Sequence, residues 1–282
     1  MTRLAFSTNA YTEYDLPEAI GRIADHGYAG VELLGDDPHA YFPEFETADR
    51  NAVREALDAT GLAVSNVNAN TATGFYHDAP PSAFFEPSLS TADEDDRRWR
   101  IEYTKRAIDL ADLVDAPAVC VASGTALPGT LPEEAYDHFV DSLHDILDYA
   151  VPRGVEVGIE FEPELLVENV EETLTLLDDV GRDGLGVNLD LGHAAVYGDA
   201  PVDAIHQCAG VITGVHLEDI AGGVRGKHYH LIPGEGNLSF APMFNAFDDI
   251  DYDGFVTMEL YTYPQKPDHA ARKAYEALAP YV

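Results

Sequence analysis

The chain has 282 residues, enough for one large core, and 46% of them are hydrophobic with regular apolar periodicity, which excludes an intrinsically disordered chain. Its 51 acidic against 16 basic residues give a formal charge of -35. In dilute buffer that charge opposes nucleic acid and anionic membranes as partners, whereas at molar salt, where the screening length falls to roughly 3 Å, it no longer decides the matter.

The start, MTRLAFSTNAY, carries no long apolar segment and runs straight into a strand-like run, so no signal peptide is expected. No apolar stretch approaches the roughly 20 residues needed to span a bilayer, and a cytoplasmic protein without membrane contact is the expectation. Eight buried-strand runs follow in order: LAFST (4–8), GVELL (30–34), LAVSNVN (62–68), PAVCVA (117–122), VEVGIE (155–160), LGVNLD (185–190), VITGVH (211–216) and FVTME (255–259). Between them lie stretches such as LPEAIGRIADHG, DRNAVREALDATG and EEAYDHFVDSLHDILDYA, with apolar residues three and four apart as an amphipathic helix requires. Gly27, Gly61 and Gly154 fall just before the next strand, where a left-handed helix cap is wanted. Strand and helix alternate throughout with no composition break, which predicts a single-domain (β/α)8 TIM barrel over residues 1–282.

Two strand-to-helix connections are long, 69–94 and 218–238. The first carries aromatic residues and three prolines and reads as a partial lid. The second is rich in glycine and histidine and reads as a substrate or metal loop. Behind the first, Asp93/Arg97, Glu94/Arg98 and Asp96/Arg100 stand four apart, which predicts mutual pairing on a solvated helix face rather than a nucleic-acid patch. Cys120 and Cys208 read as buried free thiols of a reducing compartment. Only four basic residues are lysines, and an Asp-rich, Lys-poor chain of this kind is expected of a halophilic protein from salt-rich cytoplasm.

The residues that carry chemistry close the last four strand runs: Glu160, Asp190, His216 and Glu259. All strands of such a barrel open their carboxyl ends onto one face, so these four side chains can converge. Three carboxylates and an imidazole in one place repel unless a cation sits among them. One divalent metal ion is therefore expected, with Mn²⁺ or Mg²⁺ favoured by the oxygen-rich set and Co²⁺ or Zn²⁺ as alternatives. Glu162 shares the side-chain direction of Glu160 if the strand persists, although Pro163 ends it, and is placed just behind the ligands. His228 and His230 alternate around Tyr229, so an extended loop would aim both the same way. Arg225 and Lys227 could meet a substrate phosphate, yet no phosphate cradle is recognisable.

The segments EFEPELLVEN, VNLDLGHA, VHLED, HYHLIPGEG and VTMEL, in this order, resemble the xylose-isomerase-like TIM-barrel superfamily of sugar phosphate isomerases/epimerases and family-2 AP endonucleases. The resemblance implies that Glu160, Asp190, His216 and Glu259 are metal ligands, that His193 contacts substrate, and that His230 and His228 serve as ligand or substrate contacts. With Glu162 and Arg225 these form the expected substrate-binding set. The implied reaction is isomerisation or epimerisation of a sugar or sugar derivative through an enediolate, with Glu160 and Glu259 as the acid/base pair. An inosose-dehydratase-like lyase is the alternative. The endonuclease branch draws histidines from the ends of strands three and four, which here read NVNANT and CVASGT. Their absence argues for a mononuclear site and against phosphodiester cleavage. Members of the superfamily often dimerise, so a homo-oligomer is compatible with the resemblance.

Overall fold

The structure, a computed structural model, describes residues 1–76, 85–221 and 228–282. Eight strands, β1 (Arg3–Ser7), β2 (Gly30–Leu34), β3 (Ala63–Asn68), β4 (Ala118–Ala122), β5 (Glu156–Glu160), β6 (Leu185–Asp190), β7 (Ile212–Leu217) and β8 (Phe255–Met258), pair in parallel and in chain order. β1 pairs with both β2 and β8, which closes the sheet into a barrel. The chain is thus a single-domain (β/α)8 TIM barrel.

Among the described residues nine α-helices form the outer layer: α1 (Leu16–Asp25), α2 (Thr47–Thr60), α3 (Glu94–Leu113), α4 (Pro132–Ala150), α5 (Val170–Val180), α6 (Leu191–Tyr197), α7 (Pro201–Gln207), α8 (Phe240–Asp249) and α9 (Pro267–Leu278). Their starts are specified locally. Asp15, Asp93 and Asn169 each turn a side-chain oxygen onto free backbone N–H groups of the first turn. The main core lies between helices and barrel wall, where Val31, Val121, Ile159, Val187 and Val215 meet apolar helix faces that include Ile20, Ile108 and Leu143. No helix among the described residues is long and apolar enough to cross a membrane.

The expected charge ladder on α3 forms only in part. Arg98 pairs with Glu94 at 2.5 Å and Asp95 at 3.0 Å. Asp93 is instead the helix cap, and Arg97 donates to the carbonyls of Thr91 and Ala92. Arg100 is not solvated: it is buried and donates to the carbonyls of Ala69 and Asn70. Carbonyls in the β3–α3 connection need donors when buried, and the guanidinium supplies them, so the helix face read as surface in fact holds the barrel mouth.

The inside of the barrel is polar. Ser65, Asn66, Asn188 and Thr257 are buried, Asn66 Nδ2 donates to Asn188 Oδ1 at 3.3 Å, and Thr257 Oγ1 to Ser65 Oγ at 3.1 Å. Gly214 makes room for this arrangement, since a Cβ there would lie 2.3 Å from Asn188 Oδ1. At the carboxyl face two buried aspartates shape the loops. Asp36 accepts from Thr71, Thr73 and Gly74. Asp219 accepts from the backbone N–H groups of Ile220, Gly234, Gly236 and Leu238. These bonds fix the described parts of both long connections over the end of the barrel.

Candidate metal centre

Glu160 and Asp190 are the last residues of β5 and β6, His216 is one residue short of the end of β7, and Glu259 is one residue past β8. The structure brings the four together: each offers one ligand atom, all within 4.8 Å of one another, and all four are buried. Among the described residues no lysine or arginine pairs with any of them.

Neutral donors hold the carboxylates in place. Glu160 Oε2 accepts from Asn70 Nδ2 at 2.5 Å, from the Cys120 thiol at 3.0 Å and from Asn188 Nδ2 at 3.3 Å. Glu259 Oε1 accepts from Asn68 Nδ2 at 3.0 Å and Asn9 Nδ2 at 3.1 Å. Asp190 Oδ1 accepts the backbone N–H of His193 at 2.7 Å, capping α6, while Oδ2 has no hydrogen-bond partner. His216 Nδ1 lies 3.0 Å from Glu160 Oε1, and its Nε2 is 2.6 Å from Glu32 Oε2. Glu32 is itself buried and receives Asn66 Nδ2 at 3.2 Å.

The electrostatics are those of too many buried acids. Burial raises Glu259 far above the usual carboxylate range, and Glu160, Glu32 and Asp190 raise it further against the charge of His216. Burial would likewise raise Glu160, but the charge and hydrogen bond of His216 hold it well below that range. Burial alone would strip the proton from His216, yet Glu160, Glu32 and Glu259 drive its affinity for that proton well up. An imidazolium therefore answers part of the negative charge. A divalent ion answers more of it, and the donor set of three carboxylates and one imidazole, with Asp190 Oδ2 still lacking a partner, fits such an ion. A Glu32 carboxylate receiving N–H from Nε2 would leave Nδ1 as the donor atom, the arrangement in which a carboxylate orients a ligating histidine.

Beside this centre opens a cavity of about 490 Å³. Glu160, Glu259, Glu162, His193, His230 and Tyr261 are among its lining residues. His193 is buried and faces the carbonyl of Phe161 through Nδ1 at 3.0 Å and Glu162 Oε2 through Nε2 at 3.3 Å. Burial works against its proton, but Asp190, Glu162 and Glu160 raise it to about 9. Burial raises Glu162 to about 7 in spite of His193. His228 and His230 stack with ring centroids 5.4 Å apart, both near His193, while Tyr229 between them is exposed. The two histidines thus do share a direction. Arg225 and Lys227 lie outside the described residues. A second cavity, about 530 Å³, opens around Arg3, Asp253 and Phe255 at the opposite end of the barrel. Among the described residues no cluster of metal donors lines it, so its larger volume does not compete with the chemistry at the carboxyl face.

The sequence reading missed Glu32, Glu218, Asn9, Asn68, Asn70, Cys120 and Asn188. The sequence held a signal for three of them, two through alternation. Asn188 precedes Asp190 by two and Glu218 follows His216 by two, so each shares its neighbour's side, and Glu32 is a lone acid inside the apolar run GVELL.

The model of the xylose isomerase-like TIM barrel family matches residues 20–281. The chain belongs to this family. Fructoselysine 3-epimerase of Shigella flexneri is 23% identical over 274 residues, covering 95% of this chain and 94% of that protein. Inosose dehydratase of Geobacillus thermodenitrificans is 21% identical over 292 residues, covering 91% and 89%. Among solved structures, the IOLI protein with a bound zinc atom superposes with a TM-score of 0.79 at 19% identity, covering 100% of this chain and 98% of that one. Relatives of this xylose isomerase-like chain are therefore sugar epimerases, isomerases and inosose dehydratases, and the structural likeness carries the fold.

Proposed function

We propose that this family member is a divalent-metal-dependent isomerase or epimerase of a sugar or sugar derivative. The observation that carries the reading is the meeting of Glu160, Asp190, His216 and Glu259 beside a cavity large enough for a small polyol. These four residues would hold the ion, Mn²⁺ or Mg²⁺ by their oxygen-rich donors, with Co²⁺ and Zn²⁺ as alternatives. When bound, the ion supplies charge stabilisation for a carbonyl oxygen as the neighbouring carbon loses its proton.

The chain's own residues do the rest. Glu160 and Glu259 reach the cavity from different strands and are proposed to remove and return the proton on the substrate carbon. Asn68 and Asn9 hold one oxygen of Glu259, and Asn70, Cys120 and Asn188 hold one oxygen of Glu160, so each carboxylate keeps a fixed direction. His193, His230, His228 and Glu162 are proposed to bind substrate hydroxyls, and Arg225 is proposed to join them. A lyase of the inosose dehydratase kind would begin with the same proton removal and then expel a hydroxyl. The relative of that name supports it as the second reading, and ultraviolet absorbance of an enone product separates the two. Phosphodiester cleavage is disfavoured, because the strand ends that would bring histidines bring Asn70 and Cys120, both hydrogen-bonded to Glu160. The two buried free cysteines support a reducing cytoplasm as the place of work.

Metal affinity tests the centre and Glu32 together. His216→Ala should abolish tight Mn²⁺ binding by titration calorimetry, and Glu32→Gln should weaken it by about 10–100-fold, the usual effect of removing the group that orients a ligand. Unchanged affinity in both variants would remove this histidine and its partner from the site.

The chemistry is tested in D₂O with a panel of free ketoses. Turnover should place deuterium on the isomerised or epimerised carbon, and Glu259→Gln should depress that exchange at least 100-fold (about 2.7 kcal/mol) once its metal content is shown to match the wild type. Normal turnover in a metal-loaded Glu259→Gln protein would end its role as acid or base.

Adaptation to high salt is proposed from the charge of -35. The melting temperature should climb as KCl rises from dilute toward molar, since screening relieves self-repulsion. A flat profile would contradict the salt-adapted reading.

A further inference from the structure

We propose that the cavity at the amino end of the barrel is a binding site for a neutral polyhydroxy compound, separate from the metal centre. The register of two strands shapes it. Val64 pairs with Val31 and Asn66 with Glu32, so Ser65 is an extra residue in β3. Val187 pairs with Ile212 and Asn188 with Gly214, so Thr213 is an extra residue in β7. In an unbroken strand Ser65 and Asn66 would point to opposite faces, whereas here both line the cavity, as an inserted residue allows. Gly158 leaves the space that Thr213 uses, since a Cβ there would overlap Thr213 Oγ1.

The floor is uncharged and incompletely bonded. Asn66 is 2% exposed, its Nδ2 is committed to Glu32 Oε2 and Asn188 Oδ1, and its Oδ1 is buried without a hydrogen-bond partner. Thr257 and Ser65 share one hydrogen bond between two hydroxyls, so one proton of the pair has no acceptor among the described residues. A buried floor thus offers one free acceptor and one free donor, and hydroxyl groups, which both donate and accept, match the two together. A water molecule takes up about 30 Å³, whereas the cavity holds about 530 Å³, within the roughly 300–1,000 Å³ of small-molecule sites. Val64, Val215 and Phe255 add apolar wall, so the C–H and O–H faces of a polyol both find a match. At the rim Asp115, Asp251 and Asp253 outnumber Arg3, whose guanidinium lies 3.9 Å from the centroid of the Phe255 ring. That balance disfavours an anion, and the uncharged floor gives a cation no counter-charge. None of the floor groups is ionisable, so the cavity binds without catalysing.

D-glucitol, which has no carbonyl and cannot pass through an enediolate, is the probe. Crystals of the protein soaked in it should show one glucitol in this cavity, with hydroxyls on Asn66 Oδ1 and Ser65 Oγ. In solution, calorimetric titration should detect binding that Ser65→Ala and Thr257→Val each weaken about threefold to tenfold, the effect of one hydrogen bond. Both variants keep Asn66, Glu32 and every proposed metal ligand, and their melting temperatures should stay near that of the wild type. Glucitol bound at the carboxyl face as well is recognised by its indifference to both variants. Water alone in the amino-end cavity, glucitol at the carboxyl face only, or binding at crystal concentration only would overturn the site.

Discussion

Burying like charges is the constraint on which this structure turns. Glu32, Glu160, Asp190, Glu218 and Glu259 are all withdrawn from water at one end of the barrel, and among the described residues no lysine or arginine answers them. In a medium of low dielectric such a set cannot stay ionised on its own: it must take up protons, draw protons onto neighbouring histidines, or hold cations. The upward shifts of Glu259 and Glu218 and the strong hold on the proton of His216 express the first two responses in the same few ångströms. Cation binding is the third, and it relieves the other two.

The fold makes that concentration of charge tolerable. In this parallel barrel β2, β5, β6, β7 and β8 each deliver an acidic or imidazole side chain to a common face, and the barrel register sets Asp190 directly beside His216. Uncharged donors then do the orienting. Asn9, Asn68, Asn70 and Asn188 donate to the carboxylates without neutralising them. Arginine in their place would compete with a metal for the same oxygens. Among the described residues the one buried guanidinium, that of Arg100, is spent on the carbonyls of Ala69 and Asn70. It shapes the loop that carries Asn70 and leaves the carboxylates alone.

The barrel was legible because each strand run is apolar and bounded by helical periodicity, so element type rarely depended on tertiary context. The four converging residues were legible because an acid or a histidine at the end of an apolar run stands out from its neighbours. Glu32 and Glu218 carry a weaker signal, because neither closes an apolar run. Glu32 lies mid-strand, where its use depends on His216 from a strand 184 positions away in sequence, and Glu218 depends on the absence of a side chain at Gly192. Arg97 and Arg100 were misread for a related reason. Spacing along a helix shows which side chains can meet, whereas the carbonyls that captured both arginines belong to the preceding loops.

The account stands or falls on whether this acidic cluster is built for a cation. Crystals grown with Mn²⁺, with diffraction collected at the manganese absorption edge, locate the ion directly. The expected result is a strong anomalous peak bounded by Glu160, Asp190, His216 and Glu259, with Glu32 still hydrogen-bonded to His216 Nε2. A fully occupied crystal form with no peak there, or with Mn²⁺ only on the protein surface, would contradict it.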